Sequence, residues 1–253
     1  DVAAVVGKDL FTDELRETLG QFEQAKNFGS LIVPKLRDPA ETRRVVEARD
    51  FGGDLLLKEV QARVIAVLRM AEALSPKYHV VVANPPYMGS GGMNDALKSF
   101  ADKAFKESKF DLYAMFIDRN RMIVKAAGYV AMITMQGWMF LSRLERQRCD
   151  IISKNKVLGV AHLGNRGFDS IGGEVVSTAA FLIQTSPDLR QKGDFFRLTS
   201  GMSEAEKSSL LLGAKTGVDK DIHFRVSGRE LEKIPGDPFA YWVSDRVREI
   251  FEK

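Results

Sequence analysis

One short segment constrains the fold of this chain more than any other. Residues 78–83 read YHVVVA, a continuous β-branched run without the polar alternation of a half-exposed strand. Such a run is typical of a parallel strand that is buried on both faces of an α/β sheet. The run leads directly into Asn84-Pro85-Pro86-Tyr87. These four residues should therefore stand at the carboxyl end of the strand, where open α/β sheets bind their ligands.

Helical and strand patterns alternate through the rest of the chain. The apolar positions of residues 54–74 keep the 3.6-residue period of an amphipathic helix, with Asp54 as the expected cap. Beyond the motif, we predict helices at 94–107, 111–127 and 142–154, and strands at 129–134, 157–163 and 175–185. The alternation predicts an α/β protein with a mostly parallel, doubly wound sheet. The last two strands are joined by a loop alone, which predicts an antiparallel edge strand.

The pattern weakens after Pro187. A short strand and two amphipathic segments follow, and they suggest a small helical extension rather than more of the same sheet. We therefore divide the chain into residues 1–187, which contain the motif, and residues 188–253, a linker or the start of a following domain.

Composition narrows the classes of function. With 45% hydrophobic and 28% charged residues, the chain has the make-up of an ordinary globular protein. Its apolar runs fall far short of the roughly 20 residues that span a bilayer, so we expect a cytoplasmic protein without a membrane partner. The single cysteine and three scattered histidines have no metal-ligand spacing, so no metal site is expected. The net charge of +3 permits a polyanionic partner without requiring one.

The residue types of the motif suit chemistry on a planar amine. Methylation of an exocyclic amine needs acceptors for its two N–H groups, so that the nitrogen lone pair turns toward the methyl donor. The side-chain oxygen of Asn84 and the carbonyl of Pro85 can be these acceptors, and Tyr87 offers a face on which an extruded base could stack. The alternative is a plain turn, since Asn and Pro are strong turn formers. The adjacent buried strand favours the functional interpretation.

Four segments resemble a known family in their order and spacing: VVVANPPYMGSGG, FDLYAMFIDRN, GYVAMITMQGWMF and VVSTAAFLIQ. They resemble the gamma-type N6-adenine DNA methyltransferases. FEQAKNFGSLI and IPGDPFAYWVS narrow the resemblance to the large single-chain methyltransferases of type IIG restriction-modification and BREX phage-defence systems. The resemblance implies the later part of a Rossmann-like class I methyltransferase sheet. It further implies S-adenosylmethionine as cofactor, double-stranded DNA with a flipped adenine as substrate, and other defence-system proteins as further partners.

The resemblance also assigns roles to single residues. The motif from Asn84 to Tyr87 would hold the target adenine, and Asn84 would also border the cofactor. Phe116 would pack against the adenine ring of the cofactor, with Asp111 at the start of the same element. Phe168 would stack on the second face of the flipped base. The alternatives are a core position on a helix face for Phe116 and an ordinary loop anchor for Phe168.

One expected element is missing upstream of the motif. Class I methyltransferases bind the cofactor with a glycine-rich loop after the first strand and an acidic residue after the second. The 83 residues before Asn84 contain neither pattern. We therefore interpret residues 1–187 as a partial methyltransferase catalytic domain, and we expect the glycine-rich loop and the target-recognition domain to lie outside these 253 residues.

Two further features have two interpretations each. Residues 89–92, GSGG, lack the spacing of a dinucleotide-binding loop and form either a mobile hinge or a plain flexible loop. Arg143, Arg146 and Arg148 either contact phosphates or lie on a solvated helix face, and the acidic residues between them favour the solvated face.

Two other functions stay open at this point. The same motif suits methyltransferases of glutamine side chains or RNA bases, although the long helical segment before it and IPGDPFAYWVS argue against these smaller enzymes. A non-catalytic DNA-binding or scaffold module of a defence complex is the third possibility. That module would bind DNA without cofactor and would keep its affinity after Asn84→Ala.

Overall fold

The structure is a computed structural model that describes residues 2–7, 9–168 and 176–252. Its contacts divide the chain into two compact units, residues 1–77 and residues 78–253. The helices of the first unit are α1 Val2–Val6, α2 Asp13–Glu23, α3 Ala25–Phe28, α4 Pro39–Glu47 and α5 Leu55–Leu74. The elements of the second unit are β1 Tyr78–Ala83, α6 Asp95–Ala104, α7 Leu112–Met122, β2 Val124–Met135, α8 Glu145–Lys154, β3 Lys156–Gly164, β4 Thr178–Gln184, β5 Lys192–Arg197, α9 Glu204–Thr216, β6 His223–Ser227, α10 Gly228–Leu231 and α11 Asp245–Arg248.

The first unit is built around α5, the helix predicted at residues 54–74. Its cap is Asp54, whose Oδ1 accepts a hydrogen bond from the backbone N–H of Leu57 at 3.0 Å. Val64 and Leu68 on the apolar stripe of α5 are buried, and Leu15 of α2 packs in the same core. In the described part of this unit, residues 2–7 and 9–77, every regular element is helical. The strand and glycine turn of a cofactor-binding half-domain are therefore not found among these residues.

The second unit contains a six-stranded mixed sheet in the order β1-β2-β4-β3-β5-β6. The α/β class predicted from the alternating pattern is confirmed. Strands β1, β2, β3 and β5 run in one direction, because β1 is parallel to β2, β3 is parallel to β5, and β4 is antiparallel to both β2 and β3. Strand β6 is antiparallel to β5 and forms one edge.

The position of the antiparallel strand differs from the prediction. Strands β3 and β4 do pair antiparallel, but β4 lies between β2 and β3 instead of at the edge. Its sequence TAAFLIQ explains this position, since Ala179, Phe181 and Ile183 are buried in the core of the unit. A strand this apolar is stable with a neighbour on each side. The antiparallel edge strand is β6, which the sequence pattern did not predict.

One face of the sheet carries the core of the second unit. Side chains from the sheet, from α7 and α8 and from residues 239–241 pack together there. At the centre lies the fully buried Trp138, whose ring centroid is 4.8 Å from those of both Phe181 and Phe239. Aromatic pairs at this spacing add stability beyond the apolar area that they bury.

The opposite face is open along β1. Val80 and Val82 are 55% and 75% exposed, and the described residues pair β1 only with β2. The prediction that this strand is buried on both faces is therefore wrong for the described residues of the second unit. A continuous β-branched run matches an environment covered on both sides, and no described residue of the second unit covers the open face of β1.

The junction between α7 and β2 also differs from the prediction of a helix through residue 127. Helix α7 ends at Met122 and β2 begins at Val124. The pairing with β1 jumps from Tyr78↔Val124 to Val80↔Tyr129, so the residues between them form a bulge. A Cβ on Gly128 would lie 2.7 Å from the carbonyl oxygen of His79, and this close approach requires glycine.

Residues after 187 contribute to the same sheet and core. Strand β5 pairs with β3, β6 pairs with β5, and Phe239 and Tyr241 are buried in the core of the second unit. The contacts divide the chain between Lys77 and Tyr78, whereas the sequence pattern weakened at residue 187. The second of the two amphipathic segments predicted after Pro187 forms only a short helix, since α11 is followed by a 3₁₀ turn, Glu249–Glu252.

Three negative findings apply to the described ranges. No helix there is long and apolar enough to cross a membrane. No group of three or more His, Cys, Asp or Glu side chains in those ranges is placed to hold a metal ion. Cys149 forms no disulfide.

Candidate active site

The Asn84-Pro85-Pro86-Tyr87 motif leaves β1 at its carboxyl end, as predicted. Asn84 is exposed and Tyr87 is half-buried. The Tyr87 hydroxyl lies 3.2 Å from Asn84 Oδ1 and donates a hydrogen bond to it. Burial raises the pKa of Tyr87, so the hydroxyl stays protonated and remains a donor. The bond orients the Asn84 amide and leaves a second acceptor position on Oδ1.

The ring of Tyr87 has an aromatic neighbour within the same unit. It meets Tyr113 of α7 edge to face, with ring centroids 6.2 Å apart. The Tyr113 hydroxyl reaches the 3₁₀ turn Gln136–Met139 that follows β2, where a Cβ on Gly137 would lie 2.9 Å from its oxygen. The motif after β1 and the turn after β2 are thus connected through one tyrosine, at the same edge of the sheet.

Asp111 fastens the segment after the motif to the start of α7. Its Oδ1 accepts hydrogen bonds from the backbone N–H groups of Met88, at 3.2 Å, and Tyr113, at 3.3 Å. Leu112 in turn donates its N–H to the carbonyl of Met88 at 2.9 Å. Asp111 is 6% exposed, and this burial raises its pKa, while the hydrogen bonds from Tyr113 and Met88 act in the opposite direction. In this structure, Asp111 caps α7 and fixes the loop that follows Tyr87.

The glycine-rich segment 89–92 is also attached to α7. Gly89 pairs with Asp111 in an isolated antiparallel bridge, and Ser90 donates its N–H to the carbonyl of Phe110 at 3.0 Å. Ser90–Gly92 forms a 3₁₀ turn. The predicted hinge motion of this segment stays a prediction.

The two phenylalanines proposed for stacking lie on different elements. Phe116 of α7 is half-buried and packs against the core of the second unit. Phe168 is half-buried and follows β3 in the chain, immediately before residues 169–175, which lie outside the described ranges. Their roles toward cofactor and base stay predictions.

The structure reveals a polar triad that the sequence did not predict. His162 at the end of β3 is buried, with Nε2 2.6 Å from Gln136 Oε1 and Nδ1 2.9 Å from the Tyr241 hydroxyl. Burial, assisted by the charges of Arg197 and Lys207, lowers the pKa of His162 to about 4. The sequence offered one signal: Gln136 follows β2 directly, as Asn84 follows β1.

Arg148 holds the C-terminal segment against this edge. Its guanidinium is buried and donates to the carbonyl oxygens of three residues. Nε, at 2.9 Å, and Nη2 both donate to Gly236. Nη1 donates to Trp138 at 3.2 Å and to Leu141 at 3.0 Å. Phe239 adds a backbone bond to the carbonyl of Met139 at 3.0 Å. Arg148 is therefore a structural residue, neither on a solvated face nor placed for phosphate. Arg146 does lie in solvent, where it pairs with Glu107.

A groove of about 620 Å³ runs along the open face of the sheet and reaches Asn84. Its lining is almost entirely apolar and comes from the strands, with Leu211 and Lys215 of α9 at one end. Asn84 and Lys215 are its polar lining residues, and no carboxylate lines it among the described residues.

Comparison with known proteins places these features in a family. The family model described as Eco57I restriction-modification methylase matches residues 16–168. The chain is 39% identical over 233 residues to the adenine-specific methyltransferase BrxX of Escherichia coli O9:H4 (strain HS), and the match covers 91% of the chain and 19% of that protein. It is 35% identical to the adenine-specific methyltransferase PglX of Lacticaseibacillus casei (strain Zhang), with 97% of the chain and 21% of that protein covered.

Solved structures include weaker likenesses. A nuclease-deletion mutant of the Type ISP restriction-modification enzyme LlaGI, in complex with a DNA substrate mimic, has a TM-score of 0.46 at 16% identity, over 69% of this chain and 16% of that one. The chain spans about a fifth of the length of the curated relatives that it matches. Because the family model covers more than half of the 253 residues, the chain belongs to the Eco57I restriction-modification methylase family.

Proposed function

We propose that this chain carries the amine-binding part of an S-adenosylmethionine-dependent methyltransferase that modifies the exocyclic amine of adenine in DNA. The observation that carries the proposal is the Asn84 amide at the carboxyl end of β1, oriented by the Tyr87 hydroxyl at 3.2 Å. Membership in the restriction-modification methylase family and the names of BrxX and PglX support adenine as the substrate. Double-stranded DNA is then the partner, with the target base extruded from the helix.

The motif would act through its oxygens. The two N–H groups of the amine donate to Asn84 Oδ1 and to the carbonyl of Pro85, so the nitrogen lone pair points away from both. Positive charge that develops on the nitrogen during transfer is stabilised by the same two oxygens. Since Tyr87 donates to Asn84 Oδ1, its ring stays beside the amide, where a base can stack. No ionised base is required for these steps.

The described residues form only part of a cofactor site. S-adenosylmethionine, when bound, supplies the electrophilic methyl group. Phe116 is half-buried and is our candidate for its adenine ring, whereas Oδ1 of Asp111 already accepts two backbone hydrogen bonds. We propose that the groups for ribose and methionine come from residues of the natural polypeptide outside these 253. The greater length of the relatives and the open face along β1 support this proposal.

The test is methyl transfer by the complete natural polypeptide that contains this chain. Unmodified genomic DNA and labelled S-adenosylmethionine are supplied, and methylated bases are identified after digestion. Asn84→Ala should lower the rate by about 100-fold or more, as loss of a transition-state hydrogen bond does. Its thermal stability should change little, because Asn84 is exposed.

Asn94→Ser is the matched control, since it changes another exposed asparagine while keeping a side chain able to cap α6. N6-methyladenine formed by the control and lost in Asn84→Ala supports the proposal. Methyl groups found on RNA or on glutamine side chains instead of on DNA would show that the substrate is not adenine in DNA. DNA binding without any methyl transfer would favour a scaffold module.

A further inference from the structure

The triad of Gln136, His162 and Tyr241 lies at the same sheet edge as the motif but has no part in the chemistry proposed above. Its members come from distant parts of the chain, since Gln136 and His162 are 26 positions apart and His162 and Tyr241 are 79 positions apart. Three polar side chains brought together at the edge of an otherwise aromatic core need a reason, because burial of polar groups is unfavourable unless they are paired. The pairing here is complete for the imidazole, whose two nitrogens both have partners.

The hydrogen-bond directions follow from the chemistry of the three groups. Burial raises the pKa of Tyr241, so its hydroxyl stays protonated and donates to Nδ1 of His162. The imidazole is neutral, since burial lowers its pKa to about 4, and it carries its one proton on Nε2. That N–H donates to Gln136 Oε1 at 2.6 Å. The amide of Gln136 is thereby held in one orientation, with its oxygen toward the imidazole and its NH₂ group directed away from it.

The packing around the triad restricts it to this arrangement. His162 lies among aromatic rings, with centroid distances of 5.7 Å to Phe140 and 6.5 Å to Trp242. The backbone of Gln136 is fixed as well, because its N–H donates to the carbonyl of Ser177 at 2.9 Å. Gln136 is itself only partly buried, at the first position after β2. A preorganised amide donor therefore stands at the ligand-binding edge of the sheet.

Gln136 and the motif follow neighbouring parallel strands at the same edge of the sheet. Strands β1 and β2 are parallel neighbours with Ala83 opposite Met132, and β2 continues for three residues beyond this pair before Gln136 follows it. Tyr113 connects them, since its ring centroid is 6.2 Å from that of Tyr87 and its hydroxyl oxygen would lie 2.9 Å from a Cβ on Gly137, the residue after Gln136. A base with its amine at Asn84 would present its ring nitrogens, which are acceptors, along this edge.

We infer that Gln136 is a base-binding residue whose NH₂ group donates to N1 or N7 of the target adenine, and that His162 and Tyr241 are positioning residues that hold Gln136 for this contact. The inference rests on the proposed function, because it assumes that adenine is bound at the motif. The amide oxygen of Gln136 already accepts a hydrogen bond from the His162 imidazole. The exocyclic amine of adenine therefore binds Asn84 and the carbonyl of Pro85. The ring and the amine of adenine are thus recognised by residues that follow different strands.

The experiment measures steady-state methylation by the complete natural polypeptide. Gln136→Ala should raise KM for DNA by about tenfold, as expected for one hydrogen bond to the substrate, and should change kcat less. Tyr241→Phe should raise KM in the same direction by a smaller factor, since it keeps the ring and removes only the donor to His162. In the Gln136→Ala background, Tyr241→Phe should have no further effect on KM.

Base analogues identify the contact directly. DNA is prepared with 7-deazaadenine or 1-deazaadenine at the methylated position, each of which lacks one ring acceptor. For one of the two analogues, the unaltered protein and Gln136→Ala should have the same KM. A Gln136 effect that persists with both analogues would exclude a bond to either nitrogen and overturn the inference.

The remaining outcomes are also decisive. Additive effects of Gln136→Ala and Tyr241→Phe, or an unchanged KM in Gln136→Ala with an intact melting temperature, would overturn the inference while the proposed function stands. Absence of methyl transfer by the unaltered protein would instead refute the proposed function, and the inference with it. Melting temperatures of all variants show whether a loss of activity is a loss of fold.

Discussion

Asp111 offers a test that separates structure from cofactor binding. Its Oδ1 accepts the N–H of Tyr113 as a helix cap and the N–H of Met88 from the loop after the motif. Loss of a cap costs about 1 kcal/mol, and loss of a partner for a buried N–H costs about 1–2 kcal/mol more. We therefore expect Asp111→Ala to lower the free energy of unfolding by about 2–3 kcal/mol. Asp111→Asn keeps an oxygen in the same place and should stay within about 1 kcal/mol of the unaltered protein.

Urea denaturation followed by the fluorescence of Trp138 and Trp242, which both pack in the core of the second unit, measures these differences. The matched pair decides between two roles, because Asn can cap α7 but cannot bind a cofactor ammonium as a carboxylate does. Reduced affinity for S-adenosylmethionine in Asp111→Asn, without reduced stability, would support the cofactor role. If Asp111→Asn were as unstable as Asp111→Ala, or if Asp111→Ala were neutral, the hydrogen-bonding account would be refuted.

The pH dependence of the same pair has a definite sign. Burial raises the pKa of Asp111 in the folded state. The folded protein therefore binds this proton more tightly than the unfolded chain, whose aspartate pKa is about 3.9. The stability of the unaltered protein relative to Asp111→Asn should fall as the pH rises from about 3.9 through the raised pKa, and should be constant above it. A difference that grows with pH would contradict the raised pKa.

Three further predictions concern the second unit. Trp138→Ala should lower the free energy of unfolding by about 3–5 kcal/mol in urea denaturation, because removal of the fully buried ring leaves a cavity between Phe181 and Phe239. A loss below about 1 kcal/mol would contradict the central place of this ring in the core. Gly128→Ala should lower the free energy of unfolding by about 1–3 kcal/mol in the same measurement, since its Cβ would lie 2.7 Å from the carbonyl oxygen of His79. An unchanged free energy of unfolding would contradict the requirement for glycine at this position. Cys149 should react slowly with iodoacetamide at neutral pH and faster as the pH approaches 11. The reason is that burial and the hydrogen bond with Asp237 raise the pKa of its thiol to about 11. Rapid alkylation at neutral pH would contradict the raised pKa.

The sequence by itself determined the elements whose causes are local. The period of residues 54–74 and the Asp54 cap specified α5, because helix formation depends on neighbours three and four positions apart. The run YHVVVA specified β1 and, with it, the place of the motif at the carboxyl end of a strand. The fold class followed from alternation, since strands separated by helices must form a largely parallel sheet.

Tertiary structure decided what depends on residues far apart in the chain. A β-branched run specifies a strand but not its neighbours, so the open face of β1 and the central position of β4 appeared only with the strand order. The same holds at the candidate site. Asn84 could be found from its strand, but the contacts of His162 with Gln136 and Tyr241 could not, because they join residues up to 79 positions apart that meet only when the sheet is assembled. Local periodicity contains no information about such pairs, and side-chain packing across the sheet edge is what selects them.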